Sequence, residues 1–79
     1  MKKTHELKIL PQFFEDVAKG RKNFELRKDD RDYKVGDFVK LREYKDGKYT
    51  GRTVGMPILY ILRNCPEYGL MDGYCILGL

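Results

Sequence analysis

The stretch Gly20-Arg21-Lys22-Asn23-Phe24-Glu25-Leu26-Arg27 places an ammonium, a carboxylate and a guanidinium a few positions apart. Its apolar residues, Phe24 and Leu26, share one strand parity, which assigns them to the core. Asn23, Glu25 and Arg27 share the other. Glu25 and Arg27 then stand about 7 Å apart on one side, within mutual reach of their side chains. Lys22 has the wrong parity for a regular strand and joins them only from the preceding turn. A converging trio has definite chemistry. Arg27 offers a planar fork of donors to a phosphate or a base edge. Lys22 supplies a point charge for phosphate. Glu25 either accepts hydrogen bonds from a base or ribose, or holds Arg27 in place. In an enzyme, Lys22 and Glu25 would be the base and the acid. The alternative is a solvated ion pair on a strand face, worth at most about 1 kcal/mol.

Such a trio needs a scaffold. His5, Leu7 and Ile9 alternate with Glu6 and Lys8, the pattern of a strand. Pro11 suits the first turn of a helix, where its missing N–H has no partner to lose. Phe13, Phe14, Val17 and Ala18 form an apolar stripe at helical spacing, and Gly20 lies where a helix C-cap wants positive φ. Residues 23–27 make the second strand. Val35-Gly36-Asp37 reads as a turn into a third strand, residues 38–44, and Asp46-Gly47 as a hairpin. The following segment, punctuated by Gly51, Gly55 and Pro57, reads as an edge or a bulged strand. Residues 58–62, apolar on both parities, should be the most buried strand, and residues 74–79 close the chain as another. The expectation is a mainly β (α+β) single domain over residues 1–79. It has five to six strands, one short helix after the first strand, and a sheet curled into a small barrel that hides its edges.

Bulk properties narrow the functional classes. Lys and Arg exceed Asp and Glu by 16 − 12 = 4, and the pI is about 9.1, which suits a polyanionic partner such as nucleic acid. Thr50-Gly51-Arg52 combines a hydroxyl, a flexible backbone and a fork donor, and extends the candidate surface. Tyr44, with Tyr33, Tyr49 and Tyr68, is a candidate for stacking on bases. Cys65 and Cys75 fit no metal or disulfide pattern, and reduced thiols are expected. His5 has no evident partner and reads as structural. No metal or cofactor is implied. Residues 1–10 lack the apolar core of a signal peptide, and no run approaches a membrane span, so a cytoplasmic setting is expected.

Gly20, Lys22, Glu25 and Arg27 together fit GxKxxExR, the signature of the ASCH domain (activating signal cointegrator homology). Val35-Gly36-Asp37 matches that family's hydrophobic-Gly-Asp turn. The chain resembles the very short ASCH-like domains of bacteria and phages from about His5 to Leu79. The resemblance implies a β-barrel related to the PUA domains and a cleft lined by Lys22, Glu25 and Arg27. It also implies RNA or a nucleotide as ligand. The leading expectation is therefore an RNA-binding or nucleotide-binding module. The other is a small hydrolase, either an amidohydrolase on acylated nucleosides or a ribonuclease, using the same cleft. Amidohydrolases of this resemblance place a threonine nucleophile three residues after the lysine. Here that position is Glu25, and a carboxylate cannot take the hydroxyl's part. Oligomeric state is left open by the sequence.

Overall fold

The computed structural model describes residues 2–79; Met1, counted in the single-domain expectation, lies outside the described residues. Strand β1 (Thr4–Ile9) leads into helix α1 (Pro11–Ala18), then β2 (Phe24–Lys28), β3 (Phe38–Lys45), β4 (Lys48–Pro57), β5 (Tyr60–Arg63), a single 3-10 turn (Pro66–Tyr68) and β6 (Tyr74–Gly78). Two three-stranded sheets result, ordered β1-β3-β4 and β2-β6-β5. In the first, β1 runs parallel to β3 and β3 antiparallel to β4; the second is antiparallel throughout.

Local signals explain most boundaries. Pro11 opens α1, and Phe14 and Val17 turn its apolar stripe inward. Asp46 and Gly47 both take positive φ, 51° and 83°, as a two-residue hairpin turn matched to strand twist requires. At the Val35-Gly36-Asp37 turn, the buried Asp37 carboxylate accepts hydrogen bonds from the backbone N–H of Lys3 and of Lys34, both at 3.1 Å. It also pairs with His5 Nε2 at 2.9 Å, which ties β1 to the turn. The Tyr33 ring stands edge-on to His5 with centroids 4.7 Å apart. The core lies between the sheets, built from Leu7 and Ile9 of β1, Val39 and Leu41 of β3, Phe14 and Val17 of α1, and Cys75 and Leu77 of β6, with Tyr33 and Ile58.

The mainly β fold with one short helix after the first strand is present. Among the described residues, strand pairing closes no barrel. The chain passes directly from β4 to β5, with Ile58 N–H bonded to Asp37 C=O beside β3 and Leu59 N–H to Gly78 C=O of β6, both at 2.7 Å. Two finer expectations need correction. Residues 58–62 are not the most buried strand. Ile58 is buried and Ile61 packs on the core, but Tyr60 and Leu62 stand on the uncovered face of β5, and Leu59 is exposed in the link before it. The parity of β2 is also reversed. Glu25 is 4% exposed, whereas Phe24 and Leu26 are 47% and 57% exposed. Glu25 lies opposite Leu77 and Arg27 opposite Cys75, and β6 turns those two residues to the core. Register with the central strand therefore overrides the apolar alternation of β2 itself.

Candidate functional site

Lys22 enters the site through the end of α1. Gly20 adopts φ of 75°, a conformation costly for any residue with a Cβ. Gly20 N–H bonds to Val17 C=O at 3.0 Å and Arg21 N–H to Asp16 C=O at 2.8 Å, the paired bonds of a Schellman cap. Lys22 N–H also reaches Asp16 C=O, at 3.0 Å. Lys22 thus precedes β2, and strand parity does not apply to it. Its ammonium pairs with Glu25 Oε1 and donates to Phe24 C=O at 2.8 Å. It also stands 5.0 Å from the centre of the Phe24 ring and 5.6 Å from that of Phe13. Arg27 Nε donates to Glu25 Oε2 at 3.0 Å, and Nη2 donates to Lys8 C=O at 2.5 Å, bridging β2 to the free edge of β1.

The three head groups therefore meet, and Glu25 is the hub: each of its oxygens faces one cation. The cluster carries a net charge of +1. It keeps one ammonium N–H, and both N–H groups of Arg27 Nη1, without a partner among the described residues. Beside it opens a cleft of about 490 Å³ lined by Lys8, Ile9, Leu10, Phe13, Lys22, Phe24, Glu25, Leu26 and Arg27. Its walls are mainly apolar and aromatic and its rim is cationic. Such a space accepts a flat ring inside and an anion at the edge.

Thr50 and Arg52 do not line this cleft. The β3–β4 register jumps from Arg42↔Thr53 to Tyr44↔Tyr49, so β4 bulges and Thr50, Gly51 and Arg52 stand against Glu43. Thr50 Oγ1 donates to Glu43 Oε1 at 2.7 Å, and Arg52 Nη1 lies 3.6 Å from Glu43 Oε2. Arg52 Nη2 donates to Glu15 Oε1 at 2.5 Å while its guanidinium covers the Phe14 ring at 4.5 Å. That bond and the Arg52 charge hold the Glu15 carboxyl below its ordinary range. Tyr44 packs edge-on against Tyr49, 5.1 Å between centroids, and the Lys8 ammonium sits 4.4 Å above Tyr44. Lys8 thus links Tyr44 to the cleft rim. Tyr33, proposed for stacking, is buried in the core.

Sequence reasoning missed the buried Glu43, although it follows Val39 and Leu41 on the inward parity of β3, a signal that was available. It also missed the apolar walls Leu10, Phe13, Phe24 and Leu26. The hydrogen bond from His5, followed by those from Lys3 and Lys34, lowers the Asp37 carboxyl to about 2. Cys75 is buried, which raises its thiol, and Cys65 is part-buried; both are free. Among the described residues, no group of three His, Cys, Asp or Glu side chains could hold a metal ion, and no helix is long and apolar enough to cross a membrane.

Comparison with known proteins adds two findings. Residues 4–79 match the family described as a domain of unknown function, DUF3850. The chain is also similar to an uncharacterized 12.9 kDa protein of Escherichia phage P2, encoded in the GpA 3′ region. The two are 44% identical over 54 residues, which make up 68% of this chain and 50% of the phage protein. The match therefore spans about half the length of that relative.

Proposed function

The chain belongs to the DUF3850 family, and on that premise we propose that it is a nucleotide-binding or RNA-binding module whose ligand sits in the Lys22–Glu25–Arg27 cleft. One observation carries the reading: a nearly buried carboxylate holds two cations side by side at the mouth of an apolar cleft walled by Phe13 and Phe24. A phosphate meets the unspent donors of Lys22 and Arg27, and the base enters among the aromatic walls. Glu25 positions the cations rather than contacting the ligand, since both its oxygens are already engaged. The GxKxxExR signature and the Val35-Gly36-Asp37 turn support an ASCH-like, PUA-related reading of the fold, with RNA as the favoured ligand. Two free thiols suit the reducing cytoplasm of a bacterium or phage-infected cell.

The hydrolase reading is weaker on geometry. It requires Lys22 and Glu25 to exchange protons with a substrate, yet the two are paired with each other and Glu25 is paired again with Arg27. Calorimetric titration with uridine 5′-monophosphate and with hexauridylate tests the proposal. Binding that Arg27→Ala weakens about tenfold, in an otherwise folded protein, supports it. Turnover of an acylated cytidine that Lys22→Ala abolishes would replace it with the enzyme reading.

A further inference from the structure

Phe24 and Leu26 wall the cleft, and the outward face of the β2-β6-β5 sheet continues beyond them. Register sets Phe24, Gly78 and Tyr60 in one row across the three strands, and Leu26, Ile76 and Leu62 in the next. The residues between these rows, Glu25, Leu77 and Ile61, point to the interior. The outward rows are apolar throughout, and Tyr60 is 64% exposed. On a chain of which 35% is charged, a strip this apolar calls for an explanation.

We propose that this strip is a stacking platform for single-stranded nucleic acid, with one base lodged between the Phe24 and Tyr60 rings above Gly78. The proposal rests on the cleft being a nucleotide site and extends it to a second nucleotide. Phe24 and Tyr60 stand two strands apart, roughly 9.6 Å at ordinary sheet spacing. That figure is the backbone spacing, and it leaves width for one flat ring between the two side chains. Gly78 leaves the floor between them clear. A Cβ built at that position would stand 3.3 Å from Tyr60 Cβ. Phe24 belongs to both places: it walls the cleft, and its ring lies 5.0 Å from the Lys22 ammonium. A strand with a phosphate at Lys22 and Arg27 therefore meets Phe24 next. Lys28, exposed in the row beyond Leu26, gives a further phosphate contact.

A second copy of the chain fits the strip less well. The strip's exposed apolar side chains are four, Phe24, Leu26, Tyr60 and Leu62, fewer than the roughly 20–30 residues a side of a stable interface. Two chains of charge +4 would also oppose each other.

The test compares uridine 5′-monophosphate with hexauridylate and hexathymidylate, binding each to the wild type, Tyr60→Ala, Gly78→Val and Arg27→Ala, with sedimentation of each protein alone. The expected result is that Tyr60→Ala and Gly78→Val each weaken a hexamer about tenfold and leave the mononucleotide unchanged. Arg27→Ala weakens both ligands. A mononucleotide that binds through Arg27 while the hexamers gain nothing from Tyr60 overturns the platform and leaves the cleft reading standing. Failure of all three ligands overturns both. A wild-type dimer that Tyr60→Ala converts to monomer assigns the strip to self-association and overturns the platform.

Discussion

Removing the hub of the cation pair separates a built site from a decorative one. In Glu25→Ala, the Lys22 and Arg27 side chains, 17% and 25% exposed, lose a partner that is itself only 5% exposed. Stripping one member from a fully buried pair costs about 3–5 kcal/mol. Both cations here can turn partly to water, so about 2–3 kcal/mol is the expected loss. A domain of 79 residues has about 4–12 kcal/mol in all, so the variant stays folded at room temperature. Its Tm should fall by about 8–24 °C. Urea denaturation followed by circular dichroism reads the difference as a lower midpoint at constant slope. A companion variant, Lys22→Met with Glu25→Leu and Arg27→Leu, replaces the whole ionic cluster with apolar groups. It should recover most of the loss, because removing every charge removes the uncompensated one, while binding no nucleotide. A loss below about 0.5 kcal/mol in Glu25→Ala would mean a solvated surface pair rather than a built site.

Gly20→Ala should cost about 1–2 kcal/mol, because φ of 75° is strained for a residue with a Cβ. It should also weaken nucleotide binding by shifting Lys22, which titration of the same variant checks. Thr50→Val deprives the buried Glu43 of a donor 2.7 Å away and should destabilise by about 1–2 kcal/mol, read from the urea midpoint. Asp37 contributes stability that is fully present above its unfolded pKa near 3.8 and is lost as pH falls through about 2. Acid unfolding of the wild type should therefore steepen across that interval. Asp37→Asn should be less stable at neutral pH and should lack that acid-dependent component.

The sequence discloses what local chemistry controls. Pro11 and Gly20 bracket the helix, Asp46-Gly47 makes the hairpin, and the glycines of β4 mark a bulged edge, all by rules acting over a few residues. Lys22 in the turn and Glu25 with Arg27 on one strand face were legible for the same reason. Which face of β2 turns inward was not. Phe24 and Leu26 have the apolar pattern of a core face, but β6 decides the matter by placing Leu77 and Cys75 in the core opposite Glu25 and Arg27. That register is a pairing between segments about fifty residues apart and leaves no mark in the local alternation. The apolar run at 58–62 misleads in the same way, because its outward half lies on an uncovered sheet face. The division of the strands into two three-stranded sheets likewise follows from which strands pair, which hydrophobic period does not encode.

The proposed nucleotide in the cleft beside Glu25, with its phosphate on Lys22 and Arg27, is open to direct observation. Titrating uridine 5′-monophosphate into ¹⁵N-labelled protein at low salt reads this residue by residue. Saturable amide shifts should concentrate at Phe13, Lys22, Phe24, Glu25 and Arg27, with an affinity that drops as salt is raised. A saturated titration that leaves these amides unmoved, or moves only residues of the β3–β4 hairpin, contradicts the proposal.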